Sequence, residues 1–486
     1  MKNLITRLRR NTTTRSREGS PAKRHHSSAF LFSSLLPLLG ALVGSASAQD
    51  LTPKAPAQTQ AIVITGATVH PVSGPEIADG VVFFDAGRIK GVYTREQWGE
   101  VVRTASFASP FKVVDAKGKH VYPGLISPYS QLGLTEIGAL RQTNDSSETG
   151  DITPESIAAD AVNPDSTLLP VTRSNGILLA ATFPGGGTIP GQVSVIRMDG
   201  WTTRDMSVKD SAGLVLRWPG MRTFNAWWMD RPEGDQQREN NAALTRIKDI
   251  FQTAKAYDAA RKADAGSSID LRWEAMRPVF GGTAEKDEGA PAAETMPLFV
   301  FANDLDQINA AVSFCTEHNL RCIIVGGRDA DRCAELLKQN SIPVILSNGT
   351  FQMPRRADAP YNEPYTLPKR LHDAGVLFSI AGGDDTPHER NLPYVVAMAV
   401  AHGLPHDAGI RAVTLDAAMI LGIARDYGSL EQGKSATLIV TDGSPLEVTT
   451  HVTQAFIDGR EIDLSNKQIK LYEKYRERYR QTGDLR

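Results

Sequence analysis

Apolar positions along this chain fall into three regimes. Near the beginning they form short runs separated by turn residues. Ala61–Thr65 and Val69–Val72 read as strands around the turn Gly66-Ala67-Thr68, and Gly80–Asp85 and Ile89–Val92 read as a hairpin with Gly87 in its turn. Val113–Asp115 and His120–Val121 add a further strand pair. The same pattern returns at the far end, in Ala436–Val440, Val452–Ile457 and Arg460–Ile462. Between these ends, strand-like runs alternate with helical periods. The strand candidates are Gly176–Ala181, Leu298–Ala302, Cys322–Val325, Val344–Leu346 and Leu377–Ile380, with helices predicted over Leu305–His318 and Ala330–Gln339. A long helix is predicted over Asp235–Ala265, its apolar stripe formed by Leu244, Ile247, Phe251, Ala254 and Tyr257. Such alternation predicts parallel βα units. Strands at both termini predict either one sandwich assembled from both ends or two separate end domains. The tail Asn466–Gln481 reads as a charged surface helix.

Composition changes this picture little. The chain has 486 residues, a hydrophobic fraction of 41%, a charged fraction of 22% and a formal net charge of -2, which gives no electrostatic case for nucleic acid or anionic membrane. The first 48 residues read as an export signal. A basic segment with Lys2, Arg7, Arg9 and Arg10 precedes an interrupted apolar stretch, Ala29–Val43, and Ala46-Ser47-Ala48 is a small-residue cleavage site. The expectation is a periplasmic or secreted protein with a polar linker over 49–60 and no membrane span in the mature chain. Cys315, Cys322 and Cys333 have no metal-ligand spacing and read as buried small hydrophobes with at most one bridge.

Several motifs point to one family. Tyr122-Pro123-Gly124-Leu125-Ile126 resembles the lead into the first barrel strand of the amidohydrolase superfamily, where Pro-Gly-Leu-Ile runs into Asp-x-His-x-His. Ile64–Thr68 with Asp85–Ile89 resembles the superfamily's opening β unit, Leu415–Gly422 its last barrel helix, and Tyr427–Val440 its return to the sandwich. The order is correct across nearly the whole mature chain, and the nearest branch is the imidazolonepropionase-like group. The resemblance implies an α/β fold: a distorted (β/α)8 TIM-like barrel over 122–433 and a composite β-sandwich from 61–121 and 434–463, followed by a C-terminal helix over 464–486. It also implies hydrolysis of a carbon–nitrogen bond in a non-peptide or cyclic amide by a metal-activated water.

The residues that would hold that metal are altered. The strand-one histidine positions are Tyr129 and Gln131, "V-H-A" has become Val300-Phe301-Ala302, and Gly326 stands where "V-H-G" places histidine. Asp384, in Ala381-Gly382-Gly383-Asp384, matches the family aspartate of "G-T-D". Two readings stay open. In one, Asp384 is the main catalytic carboxylate of a hydrolase with no metal or a single divalent ion such as zinc, which Asp384 would ligate. A rebuilt site would draw on Asp384 and His388 with Asp385 or Glu389. In the other, the chain is a metal-free binding or assembly protein on the same fold. Tyr129, Gln131, Phe301, Asn303 and His388 are the candidate pocket residues in both. The partner is a small amide-type molecule if the chain is active, and association of copies is open by analogy with relatives. Three further features have structural readings: the Gly-rich turn Pro184–Gln192 as a tight turn or an anion cradle, His318, His372 and His402 as surface or capping residues, and Trp227-Trp228 with Tyr361–Tyr365 as packing or pocket lining.

Overall fold

A computed structural model describes residues 53–104, 110–223, 230–281, 295–347, 359–383 and 385–484. The expected export signal, Trp227-Trp228 and Asp384 lie outside the described residues. In chain order the first strands are β1 (Ile62–Val69), β2 (Ile77–Asp85), β3 (Arg88–Tyr93), β4 (Lys112–Asp115) and β5 (His120–Pro123). The central strands are β6 (Leu125–Ser130), β7 (Ile177–Thr182), β8 (Gln192–Arg197), β9 (Ser207–Arg217), β10 (Leu298–Ala302), β11 (Cys322–Gly326), β12 (Val344–Leu346) and β13 (Phe378–Ile380). The last are β14 (Leu438–Thr441), β15 (Val452–Ile457) and β16 (Arg460–Glu461).

Strands from the two ends share one mixed sheet in the order β16-β15-β14-β5-β1-β2-β3, with β4 alongside β1. This decides between the two sequence readings, because β5 pairs with β1 on one side and with β14 on the other. Its apolar face collects Ile62, Ile64, Val82, Phe84, Val121, Leu438 and Phe456 from both ends of the chain.

The central strands form a second sheet in the order β13-β12-β11-β10-β9-β8-β7-β6. β13 comes close to β6, and the helix Leu415–Ile420 packs against both, so the sheet curls into a nearly closed barrel. One strand runs against the rest: β8 is antiparallel to both β7 and β9. The barrel's distortion therefore includes an antiparallel meander between its parallel units.

Side chains alternate across the barrel wall, as a period of two requires. Ile126, Leu179, Val195, Val215, Phe299, Ile323 and Ile345 fill the interior. Leu125, Leu178, Leu214, Val300, Ile324 and Val344 face the helical layer. Burial on both faces explains why β10 reads Leu-Phe-Val-Phe-Ala with no polar residue. The long helix runs over Glu233–Ala263 and lays Ile247, Ile250, Phe251 and Ala254 onto the core, with most of its surface in solvent. The tail helix, Lys467–Thr482, is capped by Asn466, whose side chain accepts from the amides of Gln468 and Ile469, and buries no residue. No described helix is long and apolar enough to cross a membrane.

Candidate functional site

The carboxyl ends of the parallel strands carry the expected site positions, and aromatic rings occupy two of them, Tyr129 and Phe301. Tyr129 of β6 is buried and meets Phe183 edge-on at 4.9 Å between ring centroids and Phe301 at 5.5 Å. Phe183 in turn packs edge-on against Phe299 at 5.2 Å. Each such pair is worth roughly 0.5–1.5 kcal/mol beyond its area burial, so the four rings form a cohesive plug. Arg217, at the end of β9, is the direct cross-strand partner of Phe301. Val215 and Phe299 one step earlier both face the interior, so Arg217 and Phe301 face it as well. The Arg217 guanidinium carbon lies 4.6 Å from the Phe301 ring centroid. Gln131 lies just past β6, its Nε2 3.1 Å from where a side chain on Gly185 would begin.

The expected histidine position on β11 is closed by its neighbour. Gly326 has a φ of +111°, and a Cβ there would stand 2.6 Å from Asn303 Oδ1. The register makes Val325, not Gly326, the partner of Phe301, and Val325 faces the barrel interior. Asn303 is fixed from behind, because Gln307 Oε1 accepts from the amides of Asn303 and Asp304 at 3.1 and 3.2 Å. This caps the helix Leu305–Glu317 and places the Asn303 side chain where an imidazole would have to pass.

The segment after β13 separates the residues that the sequence groups together. His388 and Asp385 are both exposed and hydrogen-bonded to each other, Nδ1 to Oδ2 at 2.6 Å. Glu389, by contrast, is 1% exposed. Its carboxyl lies beside the Ser127 and Ser130 hydroxyls without a hydrogen bond of normal geometry, and burial pushes it up to about 7 from an ordinary 4.5. His388 and Glu389 therefore point to different environments. Arg390 reaches Gln468 of the tail helix rather than the neighbouring acids.

The Gly-rich turn Pro184–Gln192 does cradle an anion, and that anion belongs to the chain itself. Thr188 N donates to Asp151 Oδ1 at 2.9 Å, and its hydroxyl reaches both carboxylate oxygens. Gly187 allows the approach, since a Cβ there would stand 2.4 Å from the Asp151 carbonyl oxygen. His318 and His402 are helix caps, and His372 is exposed. Tyr361 is exposed, and Tyr365 lies 5.0 Å from His402 between ring centroids. The three cysteines are buried and free.

A concavity of about 350 Å³ lies between the mixed sheet and the helix His406–Ala412. His70 and Tyr122 in its lining stack directly on each other at 4.1 Å between ring centroids, and Glu76, Asp407 and Arg411 line it too.

The donor set at the barrel mouth does not fit a divalent metal. Tyr129, Gln131, Phe301 and Gly326 offer no imidazole or carboxylate, and among the described residues no three His, Cys, Asp or Glu side chains are grouped to hold an ion. Sequence reading missed Arg217, Phe183 and the burial of Glu389. The signal for Arg217 was present: Val215 and Arg217 keep the period of two that also places Phe299 and Phe301 inward.

Comparisons with known proteins agree with this architecture. A sequence profile of the amidohydrolase family matches residues 245–463. The amidohydrolase tasK of Hapsidospora irregularis is 23% identical over 424 residues, which cover 82% of this chain and 42% of that protein. The chain thus spans less than half of that relative's length. An imidazolonepropionase of Symbiobacterium thermophilum is 23% identical over 418 residues, covering 75% of this chain and 84% of that protein. The crystal structure of an amidohydrolase from Thermotoga maritima superimposes with a TM-score of 0.68 at 22% identity, over 83% of this chain and 99% of the other. With its barrel, its sheet drawn from both ends and these matches, the chain belongs to the amidohydrolase superfamily.

Proposed function

We propose that this chain is a metal-free small-molecule-binding member of the superfamily. The observation that carries this reading is the edge-to-face packing of Tyr129 with Phe183 and Phe301, at 4.9 and 5.5 Å, at two positions where the family pattern has histidine. Replacing ligands by mutually packed rings removes both the lone pairs a metal needs and the space it would take. Asn303 against Gly326 closes a third such position. The superfamily takes small molecules at the carboxyl ends of the strands. There this chain presents an apolar and aromatic surface with a few polar groups, the composition common to binding pockets. The basic, apolar and small-residue order of the first 48 residues supports export, so the ligand would be met outside the cytoplasm.

A second reading is hydrolysis of a carbon–nitrogen bond in a non-peptide or cyclic amide. Superfamily membership and the match of Asp384 to the family aspartate favour it. Metal analysis of the purified chain, with a panel of linear and cyclic amides and added zinc or manganese, separates the two. The binding reading expects no stoichiometric metal and no turnover. Bound zinc that disappears in Asp384→Ala, together with zinc-dependent amide hydrolysis, would establish the hydrolase instead.

A further inference from the structure

Most of the other arginines that are wholly or partly buried are paired with carboxylates. Arg173 pairs with Asp199, Arg197 with Asp458, Arg277 with Asp258 and Glu274, and Arg411 with Asp416. Arg217 is half-buried at the barrel mouth, its Nε is shielded from solvent, and that atom has no hydrogen-bond acceptor. Among the described residues no carboxylate pairs with it. A guanidinium does not escape the cost of burial by losing its proton. Stacking on Phe301 satisfies only its flat face. The N–H donors lie in the guanidinium plane, so stacking leaves the Nη groups, which unlike Nε are not shielded, for an acceptor. Gln131, just past β6, and Asn303, just past β10, add neutral amide groups at the same end of the barrel.

We propose that Arg217 is the anion-recognising residue of the barrel mouth, taking the carboxylate of a small ligand whose flat or apolar body rests on Tyr129, Phe183 and Phe301. This deepens the metal-free binding reading and rests on it: a fixed cation holds the ligand where relatives would use a metal. A planar carboxylate matches one guanidinium through two parallel hydrogen bonds.

The test is calorimetric titration of the purified chain, in chelator, with benzoate and with its neutral isostere benzamide. Benzoate is expected to bind, and benzamide at least about tenfold more weakly, because hydrogen bonds to a charged partner are the stronger ones. Arg217→Gln should weaken benzoate roughly ten- to hundredfold and leave benzamide unchanged, with Arg217→Lys between the two. The melting temperature of Arg217→Gln should not fall, since it removes a cation that has no partner; this separates lost recognition from lost folding. Absence of benzoate binding, equal affinity for both probes, or benzoate affinity unchanged in Arg217→Gln would overturn the proposal. Benzoate binding that appears only with added zinc and is lost in Arg217→Gln would uphold the anion site and sink the metal-free reading. If it needs zinc and survives that substitution, both fall.

Discussion

Arg173 Nη1 donates to Asp199 Oδ1 at 2.9 Å, with the two side chains 2% and 0% exposed. Asp199 Oδ2 accepts from Arg460 Nη1 at 2.8 Å and from the amide of Ala55 at 3.3 Å. One buried carboxylate thus ties the helix Leu168–Arg173 to β16 and to the segment preceding β1. Burial depresses the basicity of Arg173, while Asp199 opposes that effect.

Asp199→Ala is therefore expected to strand a guanidinium in the interior. Breaking a buried pair from one side costs about 3–5 kcal/mol, far more than the pair contributes over a hydrophobic substitute. Urea unfolding should show the loss, and limited proteolysis should show earlier cleavage near Ala55. A loss below about 1 kcal/mol would mean that water reaches Arg173.

Gly326→Ala should destabilise the chain by roughly 1–3 kcal/mol, since the residue sits at a φ of +111° and its Cβ would press on Asn303. Adding Asn303→Ala should recover only part of the loss, because the backbone strain remains. Full recovery in the double variant, measured by thermal unfolding, would contradict the backbone argument. Gly326→His by itself is expected to yield no bound zinc in metal analysis.

Burial first, and His120 next, hold His70 at about 4 rather than 6.5, with Glu76 and Asp407 opposing and His406 adding to the shift. Its Nε2 lies 3.0 Å from His120 Nδ1. Between pH 6.5 and about 4 the unfolded chain binds a proton that the folded chain does not. Stability should therefore fall as pH falls through that window, by up to about 1.4 kcal/mol per pH unit. His70→Gln should flatten this part of the stability profile; an unchanged slope would show that His70 titrates normally.

Glu389 works in the opposite sense. Raised to about 7 from 4.5, it keeps a proton in the folded chain that the unfolded chain has released. Its contribution is whole below pH 4.5 and is lost as pH rises through about 7. Going from pH 5 to pH 8, Glu389→Gln should gain about 2–3 kcal/mol relative to wild type in urea unfolding. A gain that does not depend on pH would mean the carboxyl titrates at its ordinary value.

Much of the architecture was legible because burial on two faces leaves a plain trace. The runs Leu298–Ala302 and Val344–Leu346 are strands with the predicted bounds, and the long helix runs over Glu233–Ala263 against an expected Asp235–Ala265. β8 and β9 were not read. β8 belongs to an antiparallel meander that interrupts the expected strand–helix rhythm, and the first half of β9, Ser207–Ser211, is polar. At the site, the sequence shows Tyr129, Gln131, Phe301 and Gly326 where the family pattern expects histidine and does not reveal the contacts they make. Ring-to-ring packing and the meeting of Asn303 with Gly326 are contacts between different strands, and no single segment encodes them. The cluster Asp385–Arg390 looked like one group because its residues are adjacent, and the turn Thr386–Asn391 sends His388 and Glu389 to opposite environments.

The mixed sheet also constrains the order in which the chain can fold. β5 lies between β1 and β14, with His120 opposite Thr441, so the first strands wait for a partner that is made almost last. Closing so long a loop is entropically slow, though each added residue costs little. Until β14 arrives, β5 presents an open edge able to pair with other chains. A chain cut short after the barrel would thus lose more than its tail: its opening strands would be left as an unfinished, self-associating sheet.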